Sequence, residues 1–149
     1  MIKLDDMTYV GPQINVSDIK NLNRRGIRTI IIARPENETA DQPEISTICE
    51  TADVFGIAVY QIPIIPGNIT DDQVREFNKI TAKLSDPVFA YCRSGLRAIS
   101  LWALNKAANG FSVDAILHIS SNANYDLTAL SSRLGQVSTH STRKTITHA

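Results

Sequence analysis

The chain reads as a single α/β domain in three layers, a mainly parallel sheet flanked by helices on both faces. Apolar, β-branched runs of strand length at 27–33, 57–63 and 87–91 alternate with segments of helical periodicity. Each helical segment carries its own start and stop signals, and 149 residues are enough for one domain that buries roughly two thirds of its extended surface.

The elements follow in order. In "QINVSDIKNLNRRG", Asn15 is placed as N-cap, Ile14 and Ile19 as a hydrophobic staple, Val16, Ile19 and Leu22 as the apolar face, and Gly26 as the stop. "IRTIIIA" is then a strand covered on both faces, followed by the polar loop "RPENETADQP". The next helix puts Ile45, Ile48, Cys49, Ala52 and Phe55 on one face and stops at Gly56. "IAVYQIP" is the second strand and "IPGN" a turn. In "TDDQVREFNKITAKL", Thr70 and Gln73 form a capping box above a buried stripe of Val74, Phe77, Ile80 and Leu84. "PVFAY" is the third strand, "CRSG" its turn and "LRAISLWALNKAANG" the following helix, with Trp102 read as core. Residues 111–135 read as two short helices that complete a domain of residues 1–135, and residues 136–149 as a polar tail with nothing to bury.

In such a sheet ligands bind beyond the carboxyl ends of the strands, which brings loops 34–43, 63–70 and 92–96 to one rim. Zero formal net charge provides no field to attract nucleic acid or a membrane surface. Two distant cysteines, Cys49 and Cys92, support neither a disulfide framework nor a metal site. Nor does "MIKLDDMTYV" look like a leader, so the expectation is a cytoplasmic protein with a free thiol and no cofactor.

Cys92 carries the chemical interest. It follows a buried strand and opens a helix, where unpaired N–H groups, the helix dipole and the charges of Arg93 and Arg97 all favour a thiolate. Gly95 lets the backbone approach an anion closely. The candidate site is therefore Cys92 and Arg97, with Arg93, Ser94, Gly95 and Leu96 as an anion-binding loop. Ser94 either donates to the sulfur or caps the helix. Arg34, at the same rim, is a candidate second anion contact, whereas Glu36, Glu38 and Asp41 read as solvated loop charges and Cys49 as a small buried hydrophobe. Asp71 and Asp72 fit the first turn of a helix, and His118, His140 and His148 lack partners at useful spacing.

The ordered motifs "INVSD", "RPENE" with "QP", "YQIPIIPG" and "CRSGLRA" leading into "LWAL" resemble the bacterial beta-lactamase-hydrolase-like, phosphatase-like domain family over about residues 7–108. That resemblance implies a tyrosine- or dual-specificity-phosphatase-like fold. Some members stand beside a metallo-beta-lactamase-like domain associated with persulfide chemistry. Phosphatases of this fold resemble one another in a loop HCxxGxxR followed by Ser or Thr. Here only four residues separate Cys92 from Arg97, Tyr91 precedes the cysteine and Ala98 follows the arginine. The family's general acid would fall near "IIPG", which has none, and Asp71 or Asp72 would have to serve.

A loop of the form CRxGxR is similar instead to those of rhodanese-type sulfurtransferases. The preferred expectation is therefore sulfane-sulfur transfer through a Cys92 persulfide, from an anionic donor to an acceptor thiol. The alternative is phosphate monoester hydrolysis through a Cys92 phosphocysteine, and the third reading is an anion-binding module without turnover.

Overall fold

The three apolar runs do lie side by side, with a fourth parallel strand the sequence reading missed. A computed structural model describes residues 1–147, with side chains to residue 139. The elements are β1 (Ile2–Asp5), β2 (Thr8–Gly11), α1 (Val16–Arg24), β3 (Thr29–Ile32), α2 (Ile45–Val54), β4 (Ala58–Gln61), α3 (Asp71–Thr81), β5 (Val88–Tyr91), α4 (Leu96–Ala108), α5 (Val113–Asn122) and α6 (Ser131–Thr147), with a 3-10 turn at Thr128–Leu130. The sheet runs β1-β2-β5-β3-β4, and every pairing but β1 with β2 is parallel.

Helices α1 and α2 cover one face around Ile19, Ile30, Ile32, Ile48 and Phe89. On the other face Ile31, Ile64, Phe77, Ile99 and Trp102 form the second core. All four residues of β5 are buried, as a strand covered on both faces requires. Trp102 is core as expected, and its indole N–H donates to Asp5 at 3.0 Å.

The helix signals hold at α1 and α3. The Asn15 N–H donates to Asp18 at 2.8 Å, and Gly26 takes the left-handed φ of 82° that ends the turn. Thr70 and Gln73 exchange side-chain-to-backbone bonds at 3.1 and 2.9 Å. Val16 departs from its assigned face: it is exposed, while Ile19 and Leu22 of the same helix are buried. Strand β4 also differs, since it is an edge whose Ala58, Tyr60 and Gln61 face solvent.

The boundary at Gly135 needs correction. Helix α6 runs through it, because Leu134 is fully buried and Val137 packs against the same core, an apolar stripe inside a polar-looking stretch. The 111–135 segment therefore holds α5, the 3-10 turn and only the start of α6. His148 and the side chain of His140 lie outside the described residues. Among those described, no helix is long and apolar enough to cross a membrane.

Thr70 supplies both halves of a helix start, so Thr70→Ala is expected to lower stability by about 1 kcal/mol in urea unfolding. An unchanged midpoint would show that α3 is held by its buried stripe alone.

Candidate active site

Three rim loops meet over the end of the central strand. Their backbones are laced in register: the Ala33 N–H donates to Tyr91 O at 2.8 Å and the Ile64 N–H to Ala33 O at 3.1 Å. Cys92 follows β5 directly and is 1% exposed, with its Sγ accepting from the Gly95 N–H at 3.1 Å. Gly95 is the N-cap of α4 with φ of 99°, a left-handed conformation that L side chains disfavour. The four-residue spacing is thus closed by turning the chain sharply into the helix. Ser94 caps locally, its Oγ accepting from the Leu96 N–H at 3.3 Å.

Arg97, on the first turn of α4, points back across the rim. Its Nη1 donates to Ile64 O at 2.7 Å and to Glu38 Oε2 at 2.8 Å, and its Nη2 donates to Glu38 Oε1 at 2.9 Å. Burial works against its charge, but the Glu38 hydrogen bonds and the nearby Cys92 sulfur outweigh it, so its pKa lies above the ordinary arginine value.

Glu38 is the correction to the sequence reading. It is not a solvated loop charge: its carboxylate also accepts from Arg34 Nε at 2.8 Å and so joins two arginines. The hydrogen bond from Arg97 leads in holding its carboxyl below the usual glutamate range. No periodicity could have found it, because the two partners lie 4 and 59 residues away in sequence.

Arg34 is at the rim as expected, but it is 3% exposed and its remaining contacts go to Gln13 Oε1 at 3.0 Å and Thr39 Oγ1 at 3.1 Å. It is built into the scaffold beside the loop. Arg93 and Leu96 are exposed, and Arg93 shares a polar cavity with Gln13, Arg34, Thr39 and Asp41. Asp71 and Asp72 are not brought to the loop: Asp71 pairs with Arg133 at 3.0 Å and Asp72 with Arg75. Asp126, which sequence reasoning passed over, lines a cavity with Leu96 and Arg97, but Thr128 holds its carboxylate and lowers its pKa.

His118 shares a hydrogen bond with Asn122 at 3.2 Å. Cys49 is half-buried on α2, and burial pushes its thiol pKa up. Among the described residues no group of three metal-ligating side chains gathers.

This arrangement can stabilise a negatively charged group at the Cys92 sulfur. Residues 2–109 match the family model "Beta-lactamase hydrolase-like protein, phosphatase-like domain". A Beta-lactamase hydrolase-like protein from Agrobacterium fabrum (strain C58) is 30% identical over 109 residues, 73% of this chain and 25% of that one. One from Xylella fastidiosa (strain Temecula1) is 30% identical over 110 residues, 74% and 26%. The chain thus spans about a quarter of the length of these curated relatives.

Among solved structures, a candidate phosphatase from Neisseria meningitidis Z2491 superposes with TM-score 0.82 and 32% identity, covering 91% of this chain and 96% of that one. PTPMT1 in complex with PI(5)P gives 0.79 at 15% identity over 97% of each chain. The core catalytic domain of the PP-IP phosphatase SIW14 from S. cerevisiae, in complex with citrate, gives 0.65 at 18% over 85% and 76%. The last two are likenesses of fold, which is that of the tyrosine and dual-specificity phosphatases.

Glu38→Gln tests the bridge. It should cost about 2 kcal/mol at neutral pH, less than the roughly 3–5 kcal/mol for breaking a fully buried pair, since Glu38 keeps some solvent contact. A depressed folded-state pKa means that the ionic contribution is complete above the ordinary value of 4.5 and is lost as pH falls through the depressed one. The gap in melting temperature between wild type and Glu38→Gln should therefore narrow below about pH 4. A gap independent of pH would refute the ionic account.

Proposed function

We propose that this chain, which belongs to the phosphatase-like domain family of Beta-lactamase hydrolase-like proteins, hydrolyses phosphate monoesters through a phosphocysteine on Cys92. The observation that carries this reading is the Gly95 N–H aimed at the Cys92 sulfur, with the Arg97 charge beside it. Donors fixed around a nucleophile suit the equatorial oxygens of a phosphoryl group in transfer. The phosphatase-like fold of the relatives supports phosphorus over sulfur, and none of those described supports persulfide transfer.

In the first step the thiolate attacks phosphorus in line. The S–P bond forms, the ester P–O bond breaks, and the leaving oxygen takes the electron pair. In the second step water attacks the phosphocysteine, the S–P bond breaks, and inorganic phosphate and the thiolate are released. Arg97 keeps its charge throughout, with Glu38 fixing the direction of its guanidinium.

The leaving group narrows the substrate class. Among the described residues, Asp71 and Asp72 are exposed and paired with arginines, and hydrogen bonds from Thr128 lower the pKa of Asp126, so none of these three carboxyls is set to protonate a leaving group. General-acid assistance is typically worth about 10²- to 10⁴-fold. The reading is therefore a preference for esters whose leaving oxygen is already acidic, such as aryl phosphates, over alkyl phosphates. The four-residue Cys92–Arg97 spacing keeps sulfur transfer as the second reading.

An aryl phosphate and an alkyl phosphate are assayed beside thiosulfate with cyanide. Expected are phosphate release from the aryl ester, at least about 1,000-fold loss in Cys92→Ser, and about 100-fold loss in Arg97→Lys. Thiocyanate formation without phosphate release would replace this reading with the second one.

A further inference from the structure

The Ser94–Gly95 peptide carries the loop N–H that meets the Cys92 sulfur, and Gly95 takes a φ of 99°. Its amide is planar and trans, so the direction of the Ser94 carbonyl fixes the opposite direction for the Gly95 N–H. That carbonyl is met from outside by Tyr125, whose phenol O–H donates to it at 2.8 Å. The N–H on the far side of the same plane is the one 3.1 Å from the Cys92 sulfur.

Tyr125 also closes the space over the glycine. A Cβ at Gly95 would stand 2.1 Å from the phenol oxygen and 2.9 Å from the ring carbon that bears it. The ring is itself held in place. Its backbone N–H donates to Ser120 O at 2.9 Å, the preceding Asn124 turns the chain with φ of 67°, and Ala123 and Leu127 on either side are buried. Burial and the nearby Cys92 sulfur raise the phenol pKa, so Tyr125 is a neutral donor at physiological pH.

We propose that Tyr125 is a positioning residue of the active loop: by holding the Ser94 carbonyl outward, it aims the Gly95 N–H at the sulfur and at any oxyanion seated there. The turnover part of this proposal rests on the phosphatase reading. The anion-binding part does not.

The test uses the full chain, with Tyr125→Phe retaining the ring and Tyr125→Ala removing it. Tungstate binding is measured by calorimetry, aryl phosphate turnover as kcat and KM, and stability by melting temperature. Losing one neutral hydrogen bond should weaken tungstate binding about fivefold in Tyr125→Phe. Turnover should show a fall in kcat of at least similar size, and the melting temperature should stay near wild type.

Wild-type affinity and kcat in Tyr125→Phe would overturn the proposal, because the ring alone would then suffice whatever Tyr125→Ala does. An equal loss of affinity that tracks a large drop in melting temperature would also overturn it, as a purely structural role. If wild type turns over no phosphate ester yet Tyr125→Phe still weakens tungstate, the phosphatase reading fails and the positioning role stands. Failure of wild type to bind tungstate would overturn both.

Discussion

One carboxylate holds the site together. Glu38 accepts from Arg97 at the start of α4 and from Arg34 at the end of β3, and without it two poorly solvated guanidinium groups would face one another across the rim. Taking such charges from water is costly, and their attraction offsets the cost only when the remaining hydrogen-bonding capacity is also used. Here it is: Arg97 also meets Ile64 O, and Arg34 meets Gln13 and Thr39. Gln13 then donates its own backbone N–H to Arg93 O at 3.1 Å, so the network returns to the residue beside Cys92. Arg97 and the loop that contains the thiol are thus fixed by one continuous set of contacts.

That network suits the depth of the sulfur. Cys92 stands at the carboxyl end of the fully buried central strand and is itself 1% exposed, so its sulfur is held by the fold rather than by solvent. The short spacing from Cys92 to Arg97 does not prevent a cradle, because Gly95 absorbs the turn in a backbone conformation that a side chain would resist. Counting residues between cysteine and arginine therefore distinguishes phosphorus from sulfur less sharply than the sequence suggested. The acidity of the leaving group becomes the more informative chemical variable.

What was legible in the sequence was what is local or periodic. The buried stripe of α3, the Asn15 and Thr70 helix starts, the strand before Cys92 and the convergence of three loops could all be read from spacing. The pairing of β2 with β5 could not: Thr8 meets Val88 across most of the chain, and four residues of mixed polarity carry no clear alternation. Glu38 was misread for the same reason, since an acidic residue in a polar loop looks solvated until the fold delivers an arginine from α4. Tyr125 had no signal either, being one aromatic residue in a turn between helices.

The continuation of α6 past Gly135 and the placement of Tyr125 bear on how such a domain can diversify. The segment that matches the family ends at residue 109, and Cys92, Arg97, Glu38 and the sheet all fall inside it. The wall on the other side of the loop, with Tyr125, Leu127, Leu130 and Arg133, is contributed by the stretch beyond. Reaction and approach are thereby encoded in separable lengths of chain. Change in the second can alter what reaches the sulfur while leaving the Cys92 loop and its arginine untouched.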